Sequence, residues 1–405
     1  MIEPDYSSYS LRQLEESAST LDRERFPDRA RRLDEELERR RRETPLAFEP
    51  TNLYLEADWV EHPTFEGKAR EYFGIWIVNL ALTVVTLGFY LPWARVRSRR
   101  YLYRTTRLAG HGFDYLAEPR RLLVGYLIVG FFALLYFVAP YVNPFLAFAV
   151  AGVFFVAMPW LIHKSMRFFL ANSAYRNLRF RFAGTLSGAY GRYMLLPFVT
   201  ALSLGMATPW IEKVRREYFF ENVRYGSLHS SARLSTSFFY GVTIFFIAIM
   251  LCIGIVAVFL FMGNAANELG DAGGTTDTWT AYFVIAPLYF LMFALGTAFN
   301  TVLVNHCWES TSFDAVEGNR RVRVNVHSQL DAMRYAWIVL TNILLAVVTL
   351  GLYTPFGIVR LHRYRVSRVW FSGTGSLDDV VATAADDPSA IGESAADAFD
   401  FEFGF

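Results

Sequence analysis

Cysteine is scarce in this sequence, which has Cys252 and Cys307 as its two cysteines among 405 residues. Cys252 lies in an apolar run and Cys307 in a polar segment far along the chain. They do not form a disulfide framework, and redox chemistry is not indicated. The first residues also lack the basic start and short apolar core of a secretory signal peptide, so we expect insertion through internal segments.

Signatures of catalysis and of metal binding are missing as well. The sequence contains no H-E-x-x-H, G-x-S-x-G, Walker or dinucleotide motif, each of which sets reactive groups at a fixed spacing. His306 and Cys307, with His327 further on, are too loosely spaced to predict a zinc site. We therefore predict no catalytic residue, no metal and no cofactor, in a protein that is not an enzyme.

Hydrophobic residues, by contrast, make up 53% of the chain and aromatic residues 17%, with a mean hydropathy of +0.24. A soluble protein of this size is less apolar, so much of the surface must face lipid. Seven stretches approach or exceed the roughly 20 residues that cross hydrocarbon. Their cores contain no Asp, Glu, Lys or Arg, which weighs against an ion pump. The stretches lie at about 72–93, 122–142, 144–162, 193–211, 238–262, 279–304 and 335–359. We predict an all-α integral membrane protein with four to seven membrane helices.

Three of these stretches repeat one pattern. VNLALTVVTLGFYLPW and TNILLAVVTLGLYTPF align on Gly88 and Gly351, and the middle stretch keeps Gly205, each with a proline four residues later. We interpret Gly-x-x-x-Pro as a bend, because proline removes a helical hydrogen bond and glycine tolerates unusual backbone angles. The polar residues of the copies either bond neighbouring helices or contact a transported solute or lipid. The candidate hinge and polar residues are Asn79, Thr86, Gly88, Pro92, Gly205, Pro209, Asn342, Thr349, Gly351 and Pro355.

The flanks of the three copies repeat too. After each proline comes an aromatic residue, and eight residues later stands a tyrosine: Tyr101, Tyr218 or Tyr364. Ahead of each copy lies a short segment, and two of these, at 179–184 and 321–326, alternate in the manner of strands. We therefore predict small cytoplasmic β elements within the repeats. The three internal repeats lie at about 64–115, 180–232 and 322–377.

Arginine crowds both sides of every repeated stretch, whereas residues 142–144 and 263–278, which join the other stretches in pairs, contain no Lys or Arg. By the positive-inside rule those two joints face away from the cytoplasm. Two topologies stay open. Seven plain spans leave a basic loop outside; alternatively, four spans are accompanied by repeated segments that enter from the cytoplasm and return, or lie in the interface. The second puts both termini in the cytoplasm, as we predict. The candidate contacts to anionic lipid are Arg95, Arg97, Arg99, Arg100, Arg215, Arg216, Arg360 and Arg363.

The ends of the chain differ from its middle. Residues 1–45 are hydrophilic, with leucines at roughly helical spacing, and predict a charged cytoplasmic helical segment. Residues 378–405 are acidic and rich in small residues, which is typical of a mostly disordered tail. Between them we expect a polytopic membrane domain, residues 46–372. Runs such as RVRSRRYLYRTTR are explained by positive-inside placement, so we predict no nucleic-acid partner.

These motifs resemble the YjgN-like family of bacterial inner-membrane proteins, a family of uncharacterised function. The resemblance covers about residues 62–405 and implies a multi-pass protein of the inner membrane. It brings no substrate and no catalytic residue. It rests on Phe65 and Gly67 leading into WIVNLALTVVTLGFYLPWARVR, on RNLRFRFAG, and on Tyr101, Thr105, Gly110, Phe113 and Tyr115.

Two functions stay open. Gly/Pro-broken segments in corresponding positions are typical of transporters, so we expect a transporter- or channel-like protein for a small solute or lipid. The alternative is a membrane-organising or partner-recruiting scaffold without transport activity. A water-accessible cavity lined by Asn79 and Asn342 would favour transport, and a dry, filled core the scaffold. The expected partners are the bilayer and its anionic lipids; protein partners and a homo-oligomer are left open.

Overall fold

The computed structural model describes residues 29–31, 33, 57–270, 278–317 and 320–375. The chain forms two compact units, Met1–Ala57 and Asp58–Phe405. In the first unit the described residues other than residue 57 are helical. Most of the predicted helical segment and all of the predicted acidic tail lie outside the described residues, so both stay predictions.

Short strands of the second unit pair side by side into one sheet. They are β1 (Trp59–Glu61), β2 (Thr64–Phe65), β3 (Thr106–Leu108), β4 (His111–Tyr115), β5 (Ser173–Tyr175), β6 (Leu178–Phe182), β7 (Val223–Tyr225), β8 (Leu228–Ala232), β9 (Thr311–Glu317), β10 (Arg320–Ser328) and β11 (Val369–Thr374). Within the described ranges the sheet has eleven strands, in the order β1-β11-β10-β9-β8-β7-β6-β5-β4-β3-β2. All of these pairings are antiparallel.

The two edges of this sheet lie close together. β1 and β2 are the edge strands, yet His62 and Pro63 alone separate them in the chain. The Cα atoms of Glu61 and Thr64 are therefore at most about 11 Å apart, whereas the edges of a flat sheet of this many strands would be roughly 48 Å apart. The sheet must therefore curve round until its two edge strands lie close together. Pro63 suits the corner, because it has no N–H to donate to a ladder. We call this curved sheet the ring.

Helices project from the ring in antiparallel pairs. In chain order they are α1 (Ala69–Val85), α2 (Leu91–Arg104), α3 (Pro119–Val142), α4 (Pro144–Asn172), α5 (Leu186–Tyr190), a π-helical turn (Gly191–Leu195), α6 (Leu196–Leu202), α7 (Thr208–Phe220), α8 (Thr236–Gly270), α9 (Thr278–Glu309), α10 (Ala332–Val348) and α11 (Thr354–Val366). We call α1–α2, α5–α7 and α10–α11 the kinked hairpins, because they contain the repeated pattern. The long hairpins are α3–α4 and α8–α9. Both ends of every hairpin join strands of the ring.

Helical hairpins and β-hairpins alternate at nearly constant spacing. Three residues separate each helical hairpin from the strand before it, namely residues 66–68, 116–118, 183–185, 233–235 and 329–331. Two-residue turns close the β3–β4 and β5–β6 hairpins: Ala109 with Gly110, and Arg176 with Asn177, have positive φ at both positions, as type I′ turns require. Over the described residues the ring is thus built from five modules, each a helical hairpin followed by a β-hairpin. In the fifth, β11 pairs with β1 from the other end of the sequence.

The prediction of an all-α protein is wrong. The two segments with strand-like alternation do lie in β6 and β10, but the sheet also uses pieces as short as Thr64–Phe65, which pairs with β3 some forty residues later. Pairing between distant segments, rather than local propensity, makes these residues strands.

Over the residues described, four helical segments are long and apolar enough to cross a membrane. They are Pro119–Val142, Phe145–Asn172, Thr236–Phe259 and Pro287–Glu309, and all belong to the long hairpins. Ala332–Val348, in a kinked hairpin, is a shorter apolar helix. Four is the lower end of the predicted range.

The largest cluster of buried side chains lies where α4, α7, α8 and α9 reach the ring. It includes Met166, Tyr218, Phe239 and Leu303, each at most 3% exposed. Burial of this kind stabilises by about 25 cal/mol per Å² of apolar surface. The cluster therefore anchors both long hairpins and the middle kinked hairpin to the sheet.

Candidate functional site: the kinked hairpins and the ring cavity

Each kinked hairpin turns at a Leu-Gly pair. The leucine has a φ of 50–51° and the glycine a φ of 87–94° in all three copies. The glycine N–H donates to the carbonyl five residues earlier, at 2.8 Å for Gly88, 2.8 Å for Gly205 and 2.6 Å for Gly351. This is the bonding of a Schellman helix end, which satisfies carbonyls that the end of a helix leaves without partners.

The three leucines of these pairs, which we call the tips, are almost fully exposed. The exposed fraction is 90% for Leu87, 93% for Leu204 and 94% for Leu350. The left-handed conformation costs a residue with a side chain about 1–2 kcal/mol, and an exposed leucine gains nothing in water. Val85 and Val348 beside the tips are 79% and 71% exposed. Exposed apolar surface of this kind is typical of a contact with another apolar phase.

A hydroxyl group closes each turn. Thr86 donates to the carbonyl of Leu82 at 2.7 Å and accepts from the N–H of Tyr90 at 3.0 Å. Thr349 makes the same two bonds at 2.6 and 2.9 Å. Ser203 takes this role in the middle copy, with a donated bond of 3.1 Å and an accepted bond of 3.0 Å. The polar group of Thr86 and Thr349 is therefore used within the turn.

The prolines lie after the bend rather than in it. Pro92, Pro209 and Pro355 are the second residues of α2, α7 and α11, and all three are buried. At that position the missing N–H costs no helical hydrogen bond. The Leu-Gly pair makes the bend, and the proline starts the returning helix.

The two asparagines bridge the helices of their own hairpins. Asn79 donates from Nδ2 to the carbonyl of Ala94 at 3.2 Å, and Asn342 donates to the carbonyl of Gly357 at 3.0 Å. Ala94 and Gly357 both stand two residues after the proline. Each amide thus ties an outgoing helix to its returning helix, in the manner of polar groups that join membrane helices.

The tyrosines eight residues past the aromatic fasten the other end of each kinked hairpin. Tyr218 donates to the carbonyl of Thr185 at 2.7 Å. Tyr101 donates to the carbonyl of Lys68 at 3.1 Å, and Tyr364 accepts from the N–H of Asp331 at 3.1 Å. Lys68, Thr185 and Asp331 precede the first residue of α1, α5 and α10. The repeated spacing therefore joins the base of each returning helix to the start of the outgoing one.

The candidate lipid-contacting arginines lie on the returning helices, between the tips and the ring. Arg95, Arg97, Arg360 and Arg363 are exposed. Most of the candidate arginines also make contacts within the protein. Arg99 donates to the Tyr115 hydroxyl, Arg100 to the Tyr115 carbonyl, Arg215 to the Arg192 carbonyl, Arg216 to Glu212 and Asn300, Arg360 to Thr341 and Asn342, and Arg363 to the Gly67 carbonyl.

The centre of the ring encloses an apolar cavity of about 180 Å³. One residue of each β-hairpin stands at an equivalent place on its wall, two positions after the strand begins. These residues are Leu108, Tyr175, Tyr225, Phe313 and Phe371. The ends of the returning helices add Tyr103, Leu170, Phe220, Trp308 and Val366, each three positions before a strand begins. Left empty, a cavity of about 180 Å³ would cost on the order of 4 kcal/mol.

Polar groups on this wall are bonded to one another or to the backbone. Tyr175 donates to the carbonyl of Leu108 at 2.8 Å, and Tyr225 donates to the carbonyl of Tyr175 at 2.9 Å. Each bond runs from one β-hairpin to the hairpin before it. The tyrosines therefore hold neighbouring modules together and present their rings to the cavity.

One sector of the wall, beside Pro63, contains His362 and Arg365. The Nε2 atom of His362 lies 2.9 Å from the hydroxyl of Thr106, which donates to the carbonyl of Leu102 at 2.8 Å. Burial, with Arg365 nearby, lowers the pKa of His362 to about 4. A neutral imidazole protonated on Nε2 fits this arrangement, because it can donate to the hydroxyl. Arg365 bonds the Tyr335 hydroxyl through Nε at 2.9 Å.

The predicted site residues and the cavity are separate. Asn79 and Asn342 belong to adjacent hairpins, whose contact includes the rings of Phe73 and Phe356 at 5.4 Å, but neither asparagine lines the cavity. The sequence patterns described above did not single out the wall residues. A usable signal was present, since Leu108, Tyr175 and Tyr225 each directly precede a two-residue turn rich in Gly or Asn. Among the described residues no group of His, Cys, Asp and Glu is arranged to hold a metal ion.

Comparison with known proteins gives the family. The chain is 26% identical over 202 residues to a protein of Escherichia coli O157:H7 named Inner membrane protein YjgN, covering 49% of this chain and 46% of that protein. It is 30% identical over 144 residues to the protein of the same name in Salmonella typhimurium, covering 35% and 36%. The match thus spans less than half the length of these relatives. No solved structure matches. The resemblance inferred from the sequence is confirmed, since the model of the family described as "Bacterial protein of unknown function (DUF898)" matches residues 61–398, and the chain belongs to that family.

Proposed function

We propose that the chain is a multi-pass protein of a bacterial inner membrane that holds and organises lipid at the cytoplasmic surface. In this proposal the long hairpins cross the bilayer, the ring lies against the cytoplasmic leaflet, and the kinked hairpins dip into that leaflet and return. The activity is binding, without an enzymatic step; the lack of catalytic motifs supports this part.

The membrane location is supported by the helices and by the relatives. The apolar segment Pro119–Val142 has 24 residues, or about 36 Å of helix, against a hydrocarbon thickness of about 30 Å. The similar proteins from Escherichia coli and Salmonella typhimurium are named inner membrane proteins.

The orientation follows from charge. All helical hairpins start and end at the ring, and the arginines of the returning helices lie on the ring side of the tips. The joint of α3 and α4, at Asn143, has no basic residue near it. Basic segments stay on the cytoplasmic side, so the ring is cytoplasmic, and Asp58 and Thr374, which flank its closure, are cytoplasmic too.

The main support for the proposal is the conformation and exposure of the tips. Three leucines in equivalent turns have the strained left-handed backbone conformation, and their side chains are at least 90% exposed. Insertion into hydrocarbon would offset both the backbone strain and the exposure, since burying a leucine side chain stabilises by about 1.5–3 kcal/mol. Arg95 stands four residues into α2, which is about 6 Å of helix. A guanidinium at headgroup level thus leaves the Leu87 tip in the outer part of the acyl region, as in interfacial anchors.

The same observations favour lipid handling over passage of a solute. The candidate solute contacts are Asn79 and Asn342, and their amide N–H groups donate hydrogen bonds within their own hairpins. The ring cavity is lined by neither of them. A pathway between the helices would need polar groups that face it, and these two groups face backbone carbonyls.

The test measures the depth of the tips. Leu87→Cys, Leu204→Cys and Leu350→Cys are each made with Cys252→Ser, while the buried Cys307 is kept. Each variant is labelled with a fluorophore in phosphatidylglycerol-containing vesicles that contain lipids with a quencher on carbon 5 or carbon 12 of the acyl chain. We expect stronger quenching by the carbon-5 lipid at all three tips.

The matched control is Tyr141→Cys. Tyr141 lies at the far joint of the first long hairpin and is 90% exposed. In spheroplasts a membrane-impermeant maleimide should label Tyr141→Cys and leave Ser367→Cys unlabelled. Tips that are quenched by aqueous iodide and by neither lipid would overturn the proposal.

A further inference from the structure

We propose that the ring cavity binds a hydrocarbon chain, taken from a membrane lipid or from a free fatty acid. The inference deepens the proposed function by naming the group that the protein holds. It rests on the proposed membrane placement only for the lipid as source of the chain.

The shape and chemistry of the cavity fit an alkyl chain. Its volume of about 180 Å³ has room for roughly six groups the size of a water molecule, at ~30 Å³ each. An apolar cavity of about 150 Å³ in another protein stays dry and binds benzene or xenon. The wall consists almost entirely of aromatic and aliphatic side chains, such as Phe113, Tyr225 and Val324. Water finds few partners there, whereas a methylene chain finds dispersion contacts on all sides.

A polar occupant is disfavoured, because the polar groups of the wall are already bonded. The Tyr175 and Tyr225 hydroxyls donate to backbone carbonyls, and Ser173 donates to the carbonyl of Phe169 at 3.0 Å. Thr106 lies in hydrogen-bond contact with His362. A sugar, nucleotide or amino acid would have to leave its own donors and acceptors without partners.

The position of the cavity makes a membrane lipid a source of the chain. Its wall includes the ends of the five returning helices, so it lies at the side of the ring from which the hairpins project. That side faces the leaflet in the proposed placement. The head group then stays outside, and binding depends on the length of the chain more than on the charge of the head group.

Bromine quenching of tryptophan tests this directly, because Trp59 and Trp308 line the cavity. The full-length protein is purified in a sterol-based detergent without alkyl chains, which would otherwise occupy the site. The probes are 12-bromododecanoic acid and 12-bromododecanol. We expect saturable quenching by both, with affinities within about threefold, and loss of most of it in Trp59→Phe/Trp308→Phe.

Filling the cavity gives the decisive comparison. Val324→Phe and Leu108→Phe each enlarge a wall residue, and we expect at least a tenfold loss of affinity in both. Val60→Phe makes a similar change on the outer face of β1, where Val60 is 42% exposed, and should bind as the parent does. A melting temperature for every variant identifies any that fails to fold, and either filled variant suffices for the comparison.

A final comparison distinguishes a membrane lipid from a free fatty acid as the source of the chain. The parent in nanodiscs with brominated phospholipid reports on a lipid chain, and the fatty acid in detergent reports on a free chain without any membrane. Quenching at the wall tryptophans in either arm supports the inference. Absence of quenching in both arms overturns it, as does unchanged quenching in both filled variants. Failure of the tip experiment with success of the fatty-acid arm would refute the membrane placement and leave the cavity site standing.

Discussion

The amide nitrogen of Asn342 lies 3.0 Å from the carbonyl oxygen of Gly357, across the last kinked hairpin. The two helices lie close together at Gly357. A methyl group there would lie 3.2 Å from Cβ and from Cγ of Asn342. In the first hairpin Ala94 has such a methyl group, and the corresponding bond from Asn79 is 3.2 Å long. The pair thus sets the separation of the helices.

Gly357→Ala should therefore cost little and Gly357→Val considerably more. We expect about 1 kcal/mol or less for alanine, since Ala94 shows that a hairpin of this geometry accepts a methyl group, and about 1–3 kcal/mol for valine through overpacking. Thermal unfolding in detergent, followed by circular dichroism, measures the difference. Equal melting temperatures for Gly357→Val and the parent would contradict the close approach.

Asn342→Ala should destabilise the protein more than Asn79→Ala. Removal of Asn342 takes its bond to Gly357 at 3.0 Å and the one that it accepts from Arg360 at 3.2 Å, each worth about 1 kcal/mol. Asn79 also makes two bonds, but they are longer, at 3.2 Å to Ala94 and 3.4 Å to the Ser98 hydroxyl. In the described part of the chain the Oδ1 atom of Asn79 is buried without a hydrogen-bond partner, and removing it relieves a cost. The measurement is the melting temperature of both single variants and of the double variant. A larger loss for Asn79→Ala would mean that its oxygen is satisfied in the membrane.

The kinked hairpins show what sequence can predict. Their glycines, prolines and tyrosines were found from spacing alone, because each keeps a backbone geometry or a contact whose partner is fixed by the same spacing. Tyr101, for instance, reaches the residue before α1 across one hairpin. Contacts within a single hairpin repeat when the sequence repeats.

The ring could not be predicted in this way. Trp59 pairs with Gly373, more than three hundred residues later, and a strand of two or three residues carries almost no periodic signal of its own. The cavity depends on the closure of the ring, so its wall could not be assembled before the strand order was known. Long-range pairing of short strands is the information that local patterns lack.

Tyr218→Phe should destabilise the middle hairpin by about 1 kcal/mol, because it leaves the Thr185 carbonyl without the bond of 2.7 Å that it accepts. Burial raises the pKa of Tyr218 to about 12, so the hydroxyl stays protonated and donates over the whole accessible pH range. The matched variant is Tyr101→Phe at the equivalent but more exposed position, which should cost less. Thermal unfolding compares the two, and the reverse order would contradict the assigned roles.

His362 should make the stability of the protein depend on pH. Its pKa is lowered to about 4 in the folded chain by burial first and by Arg365 second, whereas an unfolded histidine titrates near 6.5. Between these values the unfolded chain binds the additional proton, so the free energy of unfolding rises with pH. The contribution is complete above pH 6.5 and is lost as the pH falls to 4.

The full difference corresponds to about 3 kcal/mol, at 1.36 kcal/mol for each pKa unit. His362→Gln keeps a donor for Thr106 and cannot be protonated, so its melting temperature should fall less than that of the parent between pH 7 and pH 4.5. His111→Gln, at an exposed position at the start of β4, should follow the parent. Parallel curves for the parent and His362→Gln would mean that this imidazole is charged in the folded ring, and that its sector of the cavity wall is wet.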